Sequence, residues 1–164
     1  MSKVDVQKMI KITDEDRGRF IKCLIEGQPF SKSYKCLGGL IEVTFKEPTL
    51  IESRVAAQSA QLGEFSHADA LFLVCIEKVV FLNELSNKEP LVFGSDSCSV
   101  LLRDAQPIGT TLVTKCTKLS QEIFHTVDRF SIVQRVFREE FMPYVKAMYD
   151  QLGNPDFFSK TNCS

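Results

Sequence analysis

The chain has 164 residues, 44% of them apolar and 25% charged, with a formal net charge of −1. That length suits one domain with its own core, and the composition argues against disordered, collagen-like and coiled-coil classes. The near-zero charge supplies no overall basic field for nucleic acid or an anionic membrane, and no apolar run reaches the ~18 residues needed to span a bilayer.

The opening MSKVDVQKMIKITDEDRGRF is charged every few residues and lacks an apolar stretch, so no secretory signal is expected. A helix is predicted over ITDEDRGRFIKCLIEGQP. Thr13 can cap it, and Asp14, Glu15 and Asp16 place negative charge in its first turn. Phe20, Cys23 and Leu24 share a face with Ile21 beside them. Gly27 suits the residue past the end, and Pro29 follows. PFSKSYKCLGGLIEVTFK then alternates. Phe30, Tyr34 and Cys36 line one strand and Ile41, Val43 and Phe45 the next, with Gly38-Gly39 as a positive-φ turn. This predicts a β-hairpin.

At Pro48 the apolar period changes from two to three and four. Thr49 and Glu52 form a capping box that starts a helix directly after the strand. Leu50, Ile51, Val55 and Leu62 mark its expected apolar face. Ala56, Ala57, Ser59 and Ala60 are small enough for close approach, and Gly63 ends the helix. FSHADALFLVCIEKVVFLNELSNKEP predicts a central buried helix, capped by Ser66 and Asp69. Leu71, Cys75, Val79 and Leu82 form its stripe, widened by Phe72, Ile76 and Val80. A strand over LFLVCI is the competing reading, but caps and length favour helix.

Residues 86–111 are turn-rich, with a Pro and a Gly on each side of CSVLLRD, and read as surface loops suited to partner-specific contacts. From 112, LVTKCTKLSQEIF is an amphipathic helix with Leu112, Cys116, Leu119 and Ile123 in line. VDRFSIVQRVFREEFMPYVKAMYDQLG is the longest helix, striped by Phe130, Val133, Phe137, Phe141, Val145, Met148 and Leu152. Pro143 should kink or divide it. The fold expected is a single α+β domain over 1–164. A helix and hairpin occupy 1–47, a mainly α-helical body 48–153 and a tail 154–164.

Little chemistry is legible. The six cysteines (Cys23, Cys36, Cys75, Cys98, Cys116 and Cys163) lack CxxC spacing and read as reduced, buried small hydrophobes of a cytosolic protein. His67 and His125 have no partner at metal-ligand spacing, so neither a metal nor a cofactor is expected. Ser66, His67 and Asp69 are adjacent, but triads meet through the fold, and a helix cap explains them. Cys36 or Cys98 could serve a small thiol enzyme if lysines such as Lys32 and Lys35 depressed a thiol. Arg129, Arg135 and Arg138 lie among phenylalanines, yet they sit beside Asp128, Glu139 and Glu140 and read as a solvated face. Nucleic acid is therefore not expected as a partner. Phe157 and Phe158 follow the last stop signal and either fold back or anchor to another chain.

A strand leaving through Phe45, Pro48, Thr49, Leu50 and Glu52 into an Ala-rich helix, then a long aromatic-striped helix and a terminal NPDFF, resembles small tail-assembly and baseplate-hub proteins of tailed bacteriophages. The resemblance is one of pattern and covers roughly residues 28–158; the six cysteines and residues 86–111 depart from it. It implies a non-enzymatic structural or assembly component of a phage tail or baseplate, or else a tail assembly chaperone for the tape-measure protein. It also implies a place in the virion or in the host cytoplasm during assembly. Partners would be other tail or baseplate proteins, met through Phe93, Tyr144, Tyr149, Phe157 and Phe158. The rival of another class is the cytosolic thiol or redox enzyme.

Overall fold

The computed structural model describes residues 10–82, 88–93 and 109–153. In chain order it contains α1 (Asp14–Glu26), β1 (Ser31–Cys36), β2 (Ile41–Lys46), α2 (Leu50–Gln61), α3 (His67–Cys75), β3 (Ile76–Phe81), β4 (Leu91–Val92) and α4 (Gly109–Leu119). A π turn, Ser120–Phe124, then leads to α5 (Val127–Val136), a second π turn, Phe137–Phe141, and α6 (Met142–Asp150). The strands form one antiparallel sheet in the order β1-β2-β3-β4. The α+β class expected from the sequence is the one observed.

The hairpin forms where alternation placed it. Cys36 pairs with Ile41 across a turn in which Leu37, Gly38 and Gly39 all have positive φ. Cys36, Ile41, Val43 and Phe45 are buried on one face. Thr13 caps α1 and Gly27 closes it in the left-handed conformation. The Thr49–Glu52 capping box is complete in both directions.

Three expectations change. The long central helix stops at Cys75, and Ile76–Phe81 becomes β3, paired to β2 from Ile41↔Phe81 to Phe45↔Ile76. Ile76, Val79 and Val80 are β-branched, and β2 offers them a ladder edge that local helical spacing cannot reveal. The apolar face assigned to α2 is also displaced. Leu50, Ile51 and Leu62 are exposed, while Glu52, Val55, Ala56 and Ser59 are buried, and α2 packs against α3 through this smaller side. Within 86–111, Leu91–Val92 is a strand and α4 begins at Gly109; CSVLLRD lies outside the described residues.

The long C-terminal helix is continuous but carries a π turn just before Pro143. Val133, Phe137, Phe141 and Val145 are four apart, and each such step overruns an ideal α-helix by about 40°. The wider turn absorbs that excess and keeps the stripe on the core. Pro143 sits in the first turn of α6, where its missing amide leaves no gap in the ladder. The stripe delivers Phe137 and Phe141 to Phe45, with centroids 5.3 and 5.8 Å away, and to Phe72 on α3, 5.7 Å from Phe137. Phe72, Phe124 and Phe130 extend this aromatic centre toward α5.

Candidate functional site

The hairpin turn, the end of β3 and the start of α5 enclose an open cleft of about 810 Å³. Its apolar wall comes from Leu37, Leu40 and Ile41 on the hairpin, Phe81 on β3, and Ile123 and Ile132 on the helical side. Leu40 is 50% exposed and Ile132 44%. Positive φ through Leu37-Gly38-Gly39 turns the chain tightly and sets a leucine at each end of the turn.

The polar lip consists of Lys88, Glu122, His125 and Arg129. Lys88 donates to the Glu122 carbonyl at 2.8 Å, lies 3.6 Å from its carboxylate, and sits over the Phe81 ring at 5.2 Å. His125 has a φ of 52°, held by its amide donating to the Ser120 carbonyl at 2.8 Å as the first π turn closes. Thr126 then caps α5, its hydroxyl accepting from the Arg129 amide. This break faces His125 and Arg129 toward the cleft, with Ile132 three residues further along α5.

Two charged clusters lie away from the cleft. Asp16, 5% exposed, accepts from Arg19 at 2.8 Å, from Lys32 at 2.9 Å and from the Tyr144 hydroxyl at 2.6 Å. Burial pushes its carboxyl up, but the Tyr144 hydroxyl and the Lys32 ammonium outweigh burial and hold it below its ordinary value. This joins α1, β1 and α6. Lys46 and Glu52, 3% and 2% exposed, form a buried ion pair at the β2–α2 corner. Glu52 also accepts from the Thr49 amide at 3.0 Å.

The aromatics expected as partner contacts are dispersed. Tyr144 is buried, with its hydroxyl committed to Asp16, so it has little surface to offer. Phe93 is partly buried against the core, under the Lys115 ammonium at 4.9 Å. Tyr149 stays 43% exposed, although its hydroxyl donates to Glu47 at 2.6 Å and its ring meets Phe20 edge-on at 4.9 Å. Phe157 and Phe158 lie outside the described residues, as do Cys98 and Cys163. Cys36 is buried, and burial followed by the nearby Glu140 pushes its thiol up to about 11, opposite to the depression a reactive thiol needs. Burial also pushes Cys75 up to about 12.

The cleft residues carried a faint sequence signal. Leu37 and Leu40 flank Gly38-Gly39 in a turn where polar residues are usual, and His125, Arg129 and Ile132 fall four and three apart. Among the described residues, no group of three His, Cys, Asp or Glu side chains could hold a metal ion, and no helix is long and apolar enough to cross a membrane. Comparison of the chain with protein-family models, curated proteins and solved structures finds no match.

Proposed function

We propose that the chain is a structural or assembly component of a bacteriophage tail or baseplate, acting through protein–protein contacts in the virion or in the host cytoplasm during assembly. The observation that carries this reading is the surface at the two ends of the hairpin. Leu40 stands exposed at the turn. Leu50 and Ile51, 72% and 45% exposed, stand at the opposite end, where β2 passes into α2. Large apolar side chains grouped at separate places suit a component that touches neighbours on more than one side. The test is co-expression with the products of its neighbouring genes, read by size-exclusion chromatography with light scattering. Co-elution is expected, weakened by Leu50→Ser with Ile51→Ser. A chain that elutes alone beside every neighbour overturns the proposal.

The open apolar cleft favours a second reading, a tail assembly chaperone that holds a helical segment of the tape-measure protein. The chaperone would be absent from finished particles, whereas the component would be present. Phe157 and Phe158 belong to the proposed contact set in either case. If Phe157→Ala with Phe158→Ala leaves particle assembly unchanged, they leave that set.

A further inference from the structure

We propose that the cleft at the hairpin turn docks an amphipathic helix of a partner protein, with apolar side chains in the trough and a carboxylate on Arg129. The inference rests on reading the chain as a protein-contact component, and it assigns that role to one surface with one partner chemistry. Leu40 on the hairpin and Ile132 on α5 both line the trough with about half of each residue uncovered, so an apolar occupant would gain burial against both.

Charge selects the occupant's lip. Lys88 is already held by the Glu122 carbonyl and carboxylate and by the Phe81 ring. Arg129 makes no ion pair among the described residues and lines the same lip as His125. With Lys88 and Glu122 balancing, the lip keeps the charge of Arg129, and its complement is a carboxylate. Shape selects a helix. Arg129 and Ile132 are three apart on α5 and both line the cleft, with His125 just before the N-cap, an edge against which a second helix can pack. A single-stranded nucleic acid would need open aromatic faces for stacking, and among the described residues that line the cleft the one phenyl ring, Phe81, carries Lys88 above it.

The experiment is fluorescence anisotropy of the full chain with three synthetic leucine-striped helical peptides, alike except that their flanking charges are glutamate, lysine or uncharged glutamine. The glutamate peptide should bind tightest. Arg129→Glu should weaken it about fivefold and strengthen the lysine peptide by a similar factor, the size of one rim charge pair. Leu40→Ser with Ile132→Ser should weaken all three. Both sites are exposed, and an unchanged melting temperature confirms that the variants fold. The proposal is overturned if the three peptides bind alike, if none binds, or if Arg129→Glu leaves their order unchanged. It is overturned equally if a single-stranded oligonucleotide displaces the glutamate peptide, or if light scattering shows a self-dimer that Leu40→Ser disrupts. Co-elution with a tail protein despite silent peptides discards the cleft assignment and keeps the assembly reading; peptide binding without co-elution does the reverse.

Discussion

Two of the places where the described residues bury charge use it differently. At the β2–α2 corner, Lys46 and Glu52 are six residues apart and almost wholly removed from water, so each is the other's main compensation. At the Asp16 cluster one carboxylate collects three donors from segments as far apart as residues 19 and 144, and Arg19 remains 44% exposed. The first arrangement is local and brittle. The second is long-range and shared, so the loss of one donor leaves others in place. A buried pair is costly to break because the survivor keeps its charge without a partner. A carboxylate near the surface can recruit water instead.

That contrast can be broken from its brittle side first. Lys46→Met should cost about 3–5 kcal/mol in urea unfolding, because Glu52 would be left buried and alone. Adding Glu52→Gln should recover much of the loss, since Gln also completes a capping box and carries no charge. Without that recovery, the pair is not the brittle element described. Asp16→Asn should cost less, about 2–3 kcal/mol, the scale of hydrogen bonds to a charged group. Tyr144→Phe should cost about 1–2 kcal/mol, since Lys32 and Arg19 still hold the carboxylate.

The smallest effect is in pH. The folded Asp16 carboxyl lies below its ordinary value of 3.8, so its contribution is present above that value and is lost as pH falls through the folded one. Stability should therefore decline as pH drops below about 4, and Asp16→Asn should flatten that part of the profile. An unchanged acid limb in the variant would remove Asp16 from the account.

Both clusters show what a linear reading can and cannot reach. The Thr49–Glu52 box was legible because its two residues signal each other three positions apart. Nothing in the sequence disclosed that Glu52 would also face Lys46, on the side of α2 where Val55, Ala56 and Ser59 are buried and away from the exposed Leu50 and Leu62. Asp16 read as first-turn charge on a helix; its role as a hub depends on Tyr144, 128 residues away. The same limit explains β3. Local spacing from Leu71 to Leu82 is helical, and only the free ladder of β2 makes a strand the better state after Cys75. The hairpin, whose signals are alternation and a glycine turn within a few residues, was readable almost entirely, but the cleft at its tip depends on α5 meeting it through the fold.

The π turn at Phe137–Phe141 gives the C-terminal helix one residue that it can lose without changing register. It holds one residue more than an α-helical turn would, so deleting a single exposed residue such as Glu139 would let the helix run on as ordinary α-helix. Every side chain beyond it would keep its place, because a π turn is an α-helical turn with one residue added, and without that residue the stripe is spaced four, three and four. Val145 and Met148 would stay in the interior, and Tyr144 would stay beside Asp16. The segment therefore behaves as slack built into a packed helix, tolerating the loss of one residue much as a surface loop does.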